Sequence, residues 1–283
     1  MRRVNLLTVW LWAGFAFLYL PIVVLVVYSF NANKSVAVWG GLSVKWYGEL
    51  FRNAQILQAA RQSLEVAAAS ASLAVFIGGL AGYVLARFGA FRGRTGFSAM
   101  LTAPLVMPEV ITGLSLLMLF IAMEQALGWP EGRSLLTIII AHITFASAYV
   151  AVVVRSRVLG LDRALEEAAM DLGARPHVVL WRITLPMLAP GLVSGWLLAF
   201  TLSLDDLVIA SFVSGPGSTT LPMLIFSKVR LGVSPDINAL ASIIVLIVAT
   251  GVILSGWMML RAERAREREA QAAFRISGDM TKN

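Results

Sequence analysis

Hydrophobic positions in this chain do not alternate; they come in long runs. Six apolar stretches, near 9–30, 63–86, 97–123, 135–154, 187–213 and 238–260, are separated by polar and charged segments. A helix of about 20 apolar residues matches the ~30 Å hydrocarbon core of a bilayer, and in that solvent a helix satisfies its own backbone. The pattern predicts an all-α polytopic membrane protein with six transmembrane helices. The second run is rich in Ala and Gly, which lets helices approach closely. The third contains Pro104 and Pro108, so its backbone is predicted to be kinked or irregular, with Glu109 facing the interior.

The first run follows Met1-Arg2-Arg3 and ends in Val27-Tyr28-Ser29-Phe30. A signal peptide would have a shorter apolar core and a small-residue cleavage site. An uncleaved first span is the expectation. In the polar loop 31–61, Trp39, Trp46 and Tyr47 are expected to anchor at the membrane interface.

Composition agrees with the pattern: 58% hydrophobic, 14% charged, mean hydropathy +0.79, against roughly 25% charge in soluble domains. The net charge of +7 could suggest nucleic acid, but its distribution has another explanation. The N-terminus, the segments 87–96 and 155–186 and the tail hold 16 Lys and Arg; the other three loops hold 7. By the positive-inside rule both termini and the 155–186 loop are cytoplasmic. There is no cysteine, which excludes disulfides and thiolate chemistry. The sequence has no GxxxxGK[ST], no HExxH and no paired His/Cys cluster, so no cofactor or metal is expected and no nucleotide site of that type. His142, alone in the fourth run, is expected to be a satisfied packing residue rather than a proton carrier. No internal repeat of the kind found in many secondary transporters is visible.

One loop is too regular to be a plain connector. In LDRALEEAAMDLGARPHVVLWRITLP, residues 161–186, the positions Leu161, Leu165, Ala168, Ala169 and Leu172 form an apolar stripe at helical spacing. Asp162 can cap its start, and Glu166 and Glu167 follow where the helix dipole favours acids. Gly173 stands where a left-handed residue would end the helix, and Pro176 suits the first position of another. The reading is helix, sharp turn, helix at a membrane surface.

Three acids fall in apolar surroundings: Glu109 in the third run, Asp205 and Asp206 in the fifth. A charge at bilayer depth costs about 2.5–3.5 kcal/mol on insertion scales, so such residues face a partner or a watery path. Asp205 and Asp206 cannot point the same way on a helix. One is free to meet a substrate while the other bonds neighbouring helices.

Glu167-Ala168-Ala169, three residues, Gly173, nine residues, then Ile183-Thr184-Leu185-Pro186 resembles the EAA loop of ABC importer permeases. YSFNANKSVAVWGGLSVKWYGELF, APLVMPEVITGLSLL and LAFTLSLDDLVIASFVSGPGSTTLPMLIFSKVRLGVSPDINAL look like the inner-membrane permeases of polyamine importers, putrescine importers above all. The likeness covers all but about the last twenty residues. One departure is Glu109, where that family is expected to carry aspartate.

The resemblance implies a type I ABC importer permease fold, divided as a first helix and periplasmic loop (1–60), a transmembrane core (61–260) and a cytoplasmic tail (261–283). It implies a bacterial inner-membrane location and an ATP-driven importer of putrescine or a related polyamine. This chain would be a transport subunit and not an enzyme. The implied partners are a second, related permease chain forming a heterodimer, two copies of a cytoplasmic ATPase, a periplasmic polyamine-binding protein and the membrane lipid. ATPase coupling falls to Glu166, Glu167, Ala168, Ala169, Asp171, Gly173 and Pro186; the substrate pathway falls to Glu109, Asp205 and Asp206. An importer of another solute and a proton-coupled secondary transporter are the alternatives, and the EAA spacing argues against the latter.

Overall fold

The computed structural model describes residues 6–34, 38–232 and 235–251, with 253, 254, 257 and 261 beyond them. In chain order the helices are α1 Leu6–Tyr28, α2 Lys45–Leu50, α3 Ala54–Arg87, α4 Arg94–Val106, α5 Glu109–Leu127, α6 Leu135–Leu159, α7 Ala164–Asp171 and α8 Pro176–Val179. A π-helical turn, Leu180–Thr184, leads into α9 Leu185–Asp205, followed by α10 Val208–Val213, α11 Leu221–Leu231 and α12 Pro235–Gly251. Five helical stretches are long and apolar enough to cross a membrane, and α12 is a shorter apolar helix. Among the described residues there is no strand, only an isolated bridge between Asn31 and Leu42.

Several boundaries differ from the sequence reading. The third apolar run is two helices, α4 and α5, separated at Met107–Pro108. The fifth does not run to Val213 as one helix: it stops at Asp205 and restarts at Val208, and its helical path reaches back through the π turn to Pro176. The second begins nine residues early, at Ala54. The charged tail, 261–283, lies outside the described residues except for Arg261.

The chain packs as two units. One comprises residues 1–53 and 228–283. Its α1 buries no residue and is exposed from Leu6 to Val24, apolar residue after apolar residue, as a lipid-facing or partner-facing helix must be, with Leu25, Val26 and Tyr28 half-buried at its end. A polar knot closes the end of α1: Ser29 Oγ bonds Tyr47 Oη at 2.7 Å, and Trp46 Nε1 donates to the Asn31 carbonyl at 2.6 Å. Asn31 Oδ1 accepts from Gly40 N–H and its Nδ2 donates to the Val38 carbonyl. Trp46 and Tyr47 are therefore packed inward rather than serving as interfacial anchors, because the indole and phenol find buried partners there. Trp39 is the exposed one, its ring edge-on to Tyr28. Lys228 Nζ pairs with Asp236 Oδ2 at 2.6 Å between α11 and α12.

The other unit, residues 54–227, has its core where α3, α6 and α9 meet. Small residues bring α3 against α6. A Cβ at Gly78 or Gly82 would collide with the Ser147 or Ala151 carbonyl oxygen, so only glycine permits this approach. Around them Val66, Ala71, Ala74, Ile138, Ala146, Val150 and Ala199 are fully buried. α10 lies on α5 and α6, and Thr137 Oγ1 in the first turn of α6 donates to the Val213 carbonyl at the end of α10. The loop after α10 docks on the start of α3: Leu221 N–H donates to Ser63 Oγ and Gln62 Nε2 to the Gly217 carbonyl, both at 2.7 Å.

Candidate functional site

Both helix interruptions open on one cavity of about 420 Å³ within the second unit. The break between α4 and α5 follows from Pro108. A residue before proline is driven to extended geometry, and Met107 has φ −75° and ψ 136°. Pro108 then caps α5, and Glu109 becomes its first residue, at the positive end of the helix dipole. The break between α9 and α10 is made differently. Asp206 is extended, φ −65° and ψ 126°. Its carboxylate accepts from the backbone N–H of Ala210 at 2.7 Å and of Ile209 at 3.3 Å, satisfying the first turn of α10.

The remaining partner of Asp206 is His142. The imidazole is fully buried on α6, with Nε2 at 3.1 Å from Asp206 Oδ2 and Nδ1 at 2.6 Å from Ser203 Oγ on α9. With its proton on Nε2 the ring donates to the carboxylate and accepts from the serine. A histidine with both nitrogens bonded is the satisfied residue the sequence led one to expect. One turn along α6, Phe145 meets the imidazole edge-on at 5.5 Å between ring centres, and Tyr149 meets Phe145 likewise at 6.4 Å.

The three intramembrane acids thus come together, but on unequal terms. Glu109 and Asp205 line the cavity and are exposed; Asp206 lines it too but is buried and saturated with hydrogen bonds. Phe145, Tyr149 and Thr112 complete the polar and aromatic part of the wall; Pro104, Leu105, Leu202 and Leu207 are among the apolar part. Phe145, Tyr149 and Ser203 stand in the site without having been among the residues singled out from the sequence. His142, Phe145 and Tyr149 share one helical face at i, i+3 and i+7, a periodicity that was available but has no charge to draw notice.

The loop 161–186 forms as its residues require. Asp162 Oδ1 accepts from Ala164 N–H at 2.9 Å. Gly173 has φ +85°, its N–H bonds the Met170 carbonyl and the Ala174 N–H reaches the Ala169 carbonyl, the paired bonds of a Schellman ending. Pro176 opens α8. Of the coupling candidates, Glu167, Ala168, Asp171, Gly173 and Pro186 are exposed and Ala169 is half-buried. Glu166 turns inward and bonds Arg87 and Thr184.

A bundle of lipid-length helices, two of them broken around an acidic and aromatic cavity, defines a membrane permease. Residues 74–268 match the family described as binding-protein-dependent transport system inner membrane component, and the chain belongs to that family. It is 59% identical over 262 residues, 93% of each chain, to the putrescine transport system permease protein PotI of Escherichia coli strain K12. It is 42% identical over 255 residues to the spermidine/putrescine transport system permease protein PotC of Haemophilus influenzae, covering 90% of this chain and 96% of that one. Among solved structures it is similar to a chain of a bacterial ABC transporter that imports the acidic polysaccharide alginate. The TM-score is 0.66 at 18% identity, over 87% of this chain and 93% of that one. A chain of the MetNI methionine ABC transporter, in an inward-facing conformation, superposes with TM-score 0.57 at 19% identity, over 73% and 95%. The fold is that of a type I ABC importer permease, and the chain is a transport subunit of the inner membrane, not an enzyme.

Proposed function

We propose that this chain forms half of the path by which putrescine, or a polyamine close to it, crosses the inner membrane. The cavity carries the reading. Two carboxylates, Glu109 and Asp205, share its wall with the rings of Phe145 and Tyr149. An ammonium in a site of low dielectric is held by carboxylates and by aromatic faces, and a diamine brings two. Relatives named for putrescine and spermidine transport support the same substrate class. Asp206 holds the α9–α10 break in shape and leaves Asp205 to face the cargo.

The remaining parts follow the importer plan. A second, related permease chain completes the path, and one of the complex's two ATPase copies docks on the loop 161–186 of this chain through its exposed face of Glu167, Ala168, Asp171 and Gly173. A periplasmic binding protein delivers the amine. Both termini are cytoplasmic, and the functional division is 1–60, 61–260 and 261–283.

Uptake of labelled putrescine into proteoliposomes holding the whole complex tests the substrate. Asp205→Asn and Glu109→Gln keep size and hydrogen bonding while removing charge. At least one should cut uptake about tenfold, with assembly and basal ATP hydrolysis retained. Wild-type uptake in both variants would place amine recognition elsewhere. For the orientation, a cysteine at Ser277 should resist an impermeant thiol reagent outside spheroplasts and one at Ser35 should react; the reverse pattern would invert the topology.

A further inference from the structure

At the loop end of the second unit, three elements converge on one carboxylate oxygen. Glu166 Oε1, in the first turn of α7, accepts from Arg87 Nη2 at 3.0 Å and from Thr184 Oγ1 at 2.8 Å. Arg87 is the last residue of α3, and Thr184 is the last residue of the π turn that feeds α9. The ion pair is largely shielded: the side chains are 9% and 15% exposed, against 80% and 46% for the surface pair Arg61–Glu65. Thr184 is buried. A charge-assisted bond shielded in this way holds its geometry far better than a solvated one.

Glu166 and Glu167 are neighbours in sequence and lie about 100° apart around α7. One points into the molecule, the other out of it, and the exposed face of α7 continues through Ala168, Asp171 and Leu172. The two acids therefore cannot share a task. The inner one reaches the base of α9, which runs unbroken for 21 residues, about 30 Å, to Asp205 at the cavity. The π turn at its base is an irregularity of the kind that recurs at working sites in helices, and Thr184 ties that irregularity to the carboxylate. Arg87 Nε is buried and has no hydrogen-bond partner among the described residues, so the Nη2 bond to Glu166 is the contact that fixes this guanidinium to the loop.

We propose that Glu166 is a positioning residue that clamps the loop helix α7 to α3 and α9, so that a push on the loop arrives at the cavity as movement of α9. It rests on the reading of the loop as the ATPase-docking element, and it removes Glu166 from the docking surface itself. Loss of the clamp disconnects the two ends of α9 without undoing either of them.

The chain has no cysteine, so labels are easily placed. Spin labels on cysteines at the exposed positions Met170, on the flank of α7 turned away from Ala168, and Leu197 report the loop and α9 together. In the assembled wild-type complex their distance should be narrow and the same with and without vanadate-trapped nucleotide. In Glu166→Ala it should broaden, while the ATPase still co-purifies. Glu166→Gln, which keeps an acceptor oxygen for both donors, should be narrower than Glu166→Ala. An equally narrow distance in Glu166→Ala would overturn the clamp, as would loss of ATPase co-purification in both variants, which would make Glu166 a docking contact. In proteoliposomes, putrescine moved per ATP should fall about fivefold in Glu166→Ala, the lower end of typical coupling between sites. Equal falls in uptake and hydrolysis would also overturn it. A wild-type complex that moves no putrescine strikes the substrate assignment alone, since the label distances need no substrate.

Discussion

The cavity is bounded by two broken helices, and the breaks are unlike in kind. Between α4 and α5 the cause is covalent: Pro108 has no N–H and forces Met107 to extend. Between α9 and α10 no proline intervenes. The backbone turns because the Asp206 carboxylate takes the N–H groups of Ile209 and Ala210, and that carboxylate is held in turn by His142. The first break is a property of one residue. The second is a property of a network spanning α6, α9 and α10, in which His142 braces the carboxylate that makes the turn.

That contrast makes different predictions for the two sides. Asp206→Ala should have the largest effect. It removes a helix cap and strands a buried imidazole, together about 2–4 kcal/mol of local stability. Uptake should be abolished and the melting temperature of the purified complex should drop. Asp206→Asn, which keeps acceptor and size, should melt closer to wild type. His142→Ala comes next, leaving Asp206 capped to the backbone but unbraced on the α6 side. Uptake should fall about tenfold, a loss on the scale of one buried hydrogen bond to a charged group. His142→Gln should recover part of it. Pro108→Ala should matter least, within about threefold in uptake: it lifts the covalent restraint on Met107 but strands no buried polar group, and Glu109 still favours a helix start at that point. Should Pro108→Ala prove as damaging as Asp206→Ala, the two breaks are equivalent and the network has no special weight.

The same contrast explains what could be read beforehand. Pro104 and Pro108 announced an irregular third span from composition alone, though the helix tolerates Pro104 and yields only at Pro108. The run LAFTLSLDDLVIASFV gave no such notice, since every residue in it is compatible with a continuous helix. Its break depends on an imidazole 64 positions earlier in the chain, and single-residue propensity does not see that far. The loop 161–186 was legible almost entirely, because Asp162, Gly173 and Pro176 act on their immediate neighbours. What escaped there was the direction of Glu166, set by Arg87 at a distance of 79 residues. Trp46 and Tyr47 were misplaced for the same reason: their partners, Asn31 and Ser29, lie across a loop.

The glycines at 78 and 82 constrain how the molecule can move. With α6 carbonyls lying where side chains would otherwise stand, α3 and α6 interlock backbone to backbone, and packing this close resists sliding and rolling. The pair is then a single girder. Any change of shape that opens the path to one face of the membrane and then the other has to turn this girder as a piece, with the bending left to the segments at its edges: the breaks at Met107–Pro108 and Asp206–Leu207.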